Sequence, residues 1–202
     1  MILYLSPGAC SLAAHIALHE AGLDFTHVRV DLKAKTTADG ADYRAINPKG
    51  YVPALVLDNG EVLTENVAIL AWISDEAPAA LATPTGALGR IRLLEALAFV
   101  STELHKAFGP YFASGASDEA KDAAAKLITR RLGYLSERLT SDFLFGDRLS
   151  VADCYLFVML TWARKNHVPV PSALSALYGR MSARPSVQKA LAHEAETRSK
   201  AA

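Results

Sequence analysis

Near residue 80 the chain changes its grammar, and that change restricts it to few architectures. Before it, runs of strand length alternate with helical patterns: Ile2–Leu5, a helix over Cys10–Ala21 closed by Gly22, and an alternating strand over Thr26–Val30. Strands at Ala54–Leu57 and Glu61–Leu63 follow, joined by Asp58-Asn59-Gly60 as a hairpin in which both Asn-Gly positions are expected at positive φ. Thr64-Glu65 then opens an apolar helix from Asn66 to Asp75. The expected order is strand, helix, strand, helix, hairpin, helix, which predicts a mixed sheet with helices on both faces. Past a Pro-, Ala- and Thr-rich stretch, apolar residues recur at helical spacing over Leu88–Phe108, Ala120–Leu139, Val151–Ala163 and two shorter segments. The predicted division is an α/β domain over 1–78, a linker over 79–86 and an all-helical domain over 87–202.

Composition excludes several classes of partner. With 202 residues the chain can bury about 70% of its unfolded surface. Lys plus Arg and Asp plus Glu both number 21, so no electrostatic footprint for nucleic acid or an anionic membrane exists. The longest apolar run, Tyr155 to Trp162 with one Thr, is far short of the roughly 20 residues that span a bilayer. The first residues lack a basic start and turn at Pro7-Gly8, so no signal peptide is expected. Cys10 and Cys154 make neither a disulfide framework nor a zinc spacing, which fits a reducing cytoplasm.

Two local features carry chemistry. Cys10 follows a strand through Ser6-Pro7-Gly8-Ala9 and opens a helix, where free N–H groups and the positive end of the dipole favour thiolate. Val52-Pro53, ahead of a strand, is a candidate cis bond beside backbone free to pair with a ligand. Together they point to a thioredoxin-like domain that handles a thiol-containing peptide.

Other polar residues admit two readings. Glu65 and Asn66 open a helix and can meet an amino acid's ammonium and carboxylate separately, or Glu65 is only an acidic first-turn residue. Ala98, Thr102, His105 and Gly109 share one helical stripe while Leu94, Leu97, Leu104 and Phe108 form the core stripe; His105 then walls a pocket or is a satisfied structural histidine. Asp153, three residues after Ser150, reads as the reciprocal partner in a capping box, and Cys154 as buried and inert. His15 and His19 lie four apart, but no third ligand is evident in sequence; they read as polar-face histidines and no metal is expected.

Ser-Pro-Gly-Ala-Cys-Ser at 6–11, Asn-Pro-Lys-Gly at 47–50, Val-Pro at 52–53, Leu-Thr-Glu at 63–65, Glu-Leu-His-Lys at 103–106 and the box at 150–153 resemble beta-class bacterial glutathione transferases. The resemblance runs from Met1 to about Leu191. It implies a dimer of two-domain subunits, with glutathione across the open face of the first domain. By the same resemblance Val52, with a cis bond to Pro53, pairs with the cysteinyl backbone. Glu65 and Asn66 bind the γ-glutamyl end, Lys35 meets a carboxylate, and Ala9 and Tyr51 complete that surface. Cys10 lies at the sulfur, with Ser11 or His105 as further donors. His105 and Lys106 border the pocket for the electrophile, and Thr102 and Glu103 reach the neighbouring subunit's site.

Two positions depart from the family. Ala13 stands where a Cys-x-x-Cys motif would place its second cysteine, so no internal disulfide forms there. Ala98 stands where close relatives carry an Asn that contributes to the glutathione site. The function implied is conjugation of the glutathione thiolate to small hydrophobic electrophiles, with disulfide exchange through Cys10 left open. The alternatives are a single-cysteine thiol-disulfide reductase and a non-catalytic binding protein on the same fold.

Overall fold

The computed structural model describes residues 1–199; residues 200–202, the end of the predicted helical domain, lie outside the described residues. Two compact units emerge, one of Met1–Leu81 with Arg184 onward and one of Ala82–Ala183. The terminal segment therefore belongs by packing with the first unit, where the sequence reading drew 87–202 as one helical domain.

The first unit holds a five-stranded sheet: β1 (Ile2–Leu5), β2 (Thr26–Asp31), β3 (Thr36–Thr37), β4 (Ala54–Val56) and β5 (Val62–Thr64), in the order β3-β2-β1-β4-β5. Only β1 and β2 run parallel, with Ile2 opposite Thr26; the other pairs are antiparallel. Leu3 and Leu5 are fully buried while Tyr4 packs with Val30, Tyr43, Val52 and Ala54, as strand alternation requires. Between β1 and β2, α1 (Leu12–Ala21) ends at Gly22, whose φ of 67° lets its N–H reach back to the last turn. After the hairpin comes α2 (Asn66–Glu76), packed on α1.

Two expectations here need correction. The helix expected between the second strand and the hairpin is replaced, among the described residues, by β3 and a 3₁₀ turn at Tyr43–Ala45. That stretch is polar and broken by Gly40, Pro48 and Gly50, so no apolar face exists for a helix to bury. In the hairpin only Gly60 has positive φ, at 86°. Asn59 instead accepts the Glu61 N–H on its side chain at 3.0 Å.

The terminal helix, α8 (Pro185–Ser199), packs on α1. Arg184 forms an ion pair with Glu20, whose carboxylate also accepts the Ser186 hydroxyl at 2.5 Å. Glu194, 1% exposed, accepts the Gly8 N–H at 2.7 Å.

The second unit is helical: α3 (Gly89–Phe99), α4 (Gly109–Phe112), α5 (Asp118–Arg138), α6 (Val151–Lys165) and α7 (Ser172–Ser182). The helix expected over 88–108 is not continuous. After α3 the chain widens into a π-helical turn at Val100–His105 and tightens into a 3₁₀ turn at Lys106–Phe108. A stripe counted at 3.6 residues per turn slips across that widening, so Leu93 rather than Leu94 joins Leu97, Val100, Leu104 and Phe108 in the core. Nearly all of α6 is buried, as an apolar helix without a polar face must be. Its start is the capping box: Asp153 accepts the Ser150 N–H at 2.9 Å and hydroxyl at 2.6 Å, and the Leu144 N–H at 2.8 Å. Cys154 is fully buried, as expected.

Candidate functional site

The turn from β1 into α1 places the thiol. Ala9 donates its N–H to the Ser6 carbonyl at 3.0 Å, and the Cys10 and Ser11 carbonyls take up Ala13 and His15, both at 3.1 Å. Helix α1 begins at Leu12, so Cys10 sits just before its first turn. The Cys10 thiol donates to the Val52 carbonyl at 3.5 Å. Burial opposes the thiolate that the helix start favours. Burial pushes the thiol up to about 11, and Glu65 adds to that; the N–H groups of Cys10 and Ser11 aimed at the sulfur recover only part. Losing water outweighs the helix end.

Ser11 was expected to supply a donor toward the sulfur. Its hydroxyl instead donates to the Ser6 carbonyl at 3.4 Å and accepts the Ser6 N–H at 3.2 Å, and the residue is fully buried. The hydroxyl closes the turn; the main-chain N–H of Ser11 is the group that faces sulfur.

Val52–Pro53 is a cis bond, as the sequence led one to expect. The loop before it is fastened from beneath. The Tyr51 carbonyl accepts the Asn47 amide at 2.7 Å and the Tyr43 hydroxyl at 3.1 Å, and both donors are buried. Sequence reasoning quoted the Asn-Pro-Lys-Gly motif but did not assign Asn47 this anchoring, which the Asn-Pro turn could have signalled. Lys35, at a φ of 60°, donates its ammonium to the Gly50 carbonyl at 2.7 Å.

Glu65 takes a φ of 71° immediately before α2, a backbone state costly for a residue with a Cβ and most often found at binding sites. Its exposed carboxylate accepts the Lys49 ammonium at 2.5 Å and the Tyr51 hydroxyl at 2.7 Å. Lys49 was not among the expected site residues. Asn66 donates its amide to the Cys10 carbonyl at 2.9 Å, tying the start of α2 to the thiol turn. One face of the first unit thus gathers Ala9, Cys10, Lys35, Tyr51, Val52, Pro53, Glu65 and Asn66.

The second unit carries the remaining expected residues. His105 Nδ1 lies 2.7 Å from the Tyr155 hydroxyl, and its ring meets Trp162 edge-on at 5.0 Å. Burial, then the neighbouring Lys106 charge, pushes this imidazole down to about 4. Trp162 also meets Phe108 at 5.5 Å and Phe112 at 4.7 Å. Thr102 bonds back to the Ala98 carbonyl at 2.9 Å, Glu103 forms an ion pair with Arg131, and Lys106 is exposed.

The polar-face reading of His15 and His19 is also overturned. His15 is fully buried and His19 half-buried, because α8 covers this side of α1.

Fold and site define a class: a thioredoxin-like α/β unit with a thiol at its first helix, in one chain with an all-helical unit. Residues 8–76 match the family model of the glutathione S-transferase N-terminal domain, and residues 99–185 that of the C-terminal domain. The chain belongs to the glutathione S-transferase family. It is 43% identical to glutathione S-transferase GstA of Escherichia coli O157:H7, over 96% of this chain and 98% of that protein. Among solved structures it resembles a sphingomonad glutathione S-transferase complexed with glutathione, at 49% identity and TM-score 0.89 over 96% of this chain and 99% of that one. It likewise resembles the bacterial beta-class enzyme of Sphingomonas chungbukensis, at 48% identity and TM-score 0.88 over 96% and 98%.

Proposed function

We propose that the protein conjugates glutathione to small hydrophobic electrophiles, and that it works as a cytoplasmic homodimer in detoxification. The observation that carries this reading is the convergence, on one face of the first unit, of the Cys10 thiol, the Val52 carbonyl and the Glu65 carboxylate. Extended tripeptide backbone pairs with Val52 beside the cis Pro53. The γ-glutamyl ammonium meets Glu65, its carboxylate the N–H groups at the start of α2 with Asn66, and Lys35 takes the glycyl carboxylate. Ala9 and Tyr51 line the same groove.

The glutathione sulfur lies beside Cys10. There the Cys10 S–H, released from the Val52 carbonyl when the tripeptide backbone takes that position, donates to it and favours its thiolate. The thiolate attacks an electrophilic carbon, forming a C–S bond as the leaving group departs with the electron pair. In this reading Cys10 is a donor to sulfur, and disulfide exchange, which needs the Cys10 thiolate, is the minor activity. Within the second unit, His105, bonded to Tyr155 and packed edge-on against Trp162, is assigned with Lys106 to the electrophile on the family resemblance, and Thr102 and Glu103 to the neighbouring subunit.

Glu65→Gln tests the site. Losing a charge-assisted hydrogen bond to the ammonium, about 1.5–3 kcal/mol, weakens glutathione binding about 10- to 150-fold by calorimetry at pH 7. Turnover of an aryl halide falls with it at subsaturating glutathione. Unchanged affinity in the variant overturns the assignment of Glu65, and a parent protein without affinity for glutathione overturns the function.

A further inference from the structure

Four of the six histidines of the chain gather away from the thiol, contributed by three separate elements: His15 and His19 from α1, His27 from β2 and His193 from α8. We propose that His15, His27 and His193 bind one divalent transition-metal ion of the zinc class, which clips α8 to α1 and β2.

The geometry is close to what such an ion needs. One ring nitrogen from each of the three lies within 4.8 Å of the others. His193 Nδ1 and His15 Nε2 are 3.4 Å apart. Two nitrogens at 2.0–2.1 Å from a tetrahedral ion stand about 3.3 Å apart, so this pair already has the required spacing. The His27 and His193 rings are stacked at 4.9 Å and 21°, and splaying them brings the third nitrogen in. Both are half-buried, whereas His15 is fully buried.

As an apolar contact the cluster is expensive. Buried His19 Nε2, beside the three, has no hydrogen-bond partner among the described residues, and such an orphan costs about 1–3 kcal/mol. Phe25 packs against His15 and His19 at 5.7 and 4.8 Å, so aromatic side chains already fit this position. Lys189 faces His15 and His19 with an opposing charge, and Glu196 faces His27 with a favourable one.

Three imidazoles without thiolate select zinc, copper(II), nickel or cobalt over magnesium or calcium. His19, its ring centroid 5.1 Å from that of His15 and 5.3 Å from that of His193, stands within reach of the fourth position. The next residue after His193 is Glu194, whose carboxylate holds the Gly8 N–H in the turn that carries Cys10. Metal at His193 therefore also steadies the thiol turn.

The test uses full-length, tag-free protein, stripped with chelator and titrated with cobalt(II), then zinc(II). Expected are one equivalent of cobalt with the visible bands of tetrahedral nitrogen ligation, displacement by zinc, and a melting temperature raised by about 5–10 °C at hundredfold excess of free zinc over Kd. His27→Gln and His193→Gln, with circular dichroism and glutathione affinity as in the parent, each abolish binding and the thermal shift. His167→Asn and Cys10→Ser leave both intact. Absence of binding, binding that survives both glutamine variants, or a sulfur-to-cobalt charge-transfer band lost in Cys10→Ser overturns the site. Glutathione affinity reads the proposed activity separately, so the two conclusions fail independently.

Discussion

The protonation of Cys10 can be tested by its reactivity. An unperturbed thiol titrates near 8.5, while burial holds Cys10 near 11. At pH 7.5 this difference lowers the thiolate fraction about 300-fold. A more basic thiolate is intrinsically more nucleophilic, and a Brønsted slope of 0.4–0.5 over that interval returns roughly a factor of 13. The net expectation is alkylation by iodoacetamide about 20-fold slower than for a free cysteine peptide, with the rate still rising at pH 10. The assay is mass-spectrometric alkylation kinetics from pH 6 to 10; Cys154 is fully buried and does not compete. Glu65→Gln removes the carboxylate charge that helps raise Cys10, and it accelerates the reaction. A rate profile that levels off below pH 8.5, or a rate equal to the peptide's at pH 7.5, would falsify the argument that burial outweighs the helix start.

Two further outcomes follow from the second unit. Asp153→Ala strands the donors at Ser150 and Leu144 and removes the cap of α6, a loss of about 2–4 kcal/mol in urea unfolding followed by tryptophan fluorescence. Asp153→Asn, which keeps the shape, loses less, and equal stability of all three proteins would remove the cap from the account. His105, held near 4, stays neutral where the unfolded chain already binds a proton, so stability drops as pH falls from about 6.5 toward 4, at up to about 1.4 kcal/mol per pH unit. An NMR titration that finds the His105 midpoint near 6.5 contradicts this.

Much of both units is legible in sequence because its signals are short-range. Gly22 ends α1 and Gly60 turns the hairpin through a backbone angle that few residues adopt, and Ser150 with Asp153 forms a cap across three residues. The site is less legible. Val52–Pro53 and the helix start at Asn66 are local and readable, whereas the roles proposed for Lys35, Tyr51 and Thr102 have no local signature and rest on resemblance. Lys49 escapes notice because an exposed lysine becomes informative only when a carboxylate, here Glu65, is folded against it.

The sequence by itself determined most of the strands and helices, the caps and the split between a mixed α/β half and a helical half, since periodicity and capping act within a few residues. Tertiary structure alone decided that burial opposes ionisation of the Cys10 thiol, that the Ser11 hydroxyl closes a turn, that α8 packs with the first unit and that four histidines meet. Each of those outcomes depends on which distant segment covers a group and removes its water, and no local pattern encodes that cover.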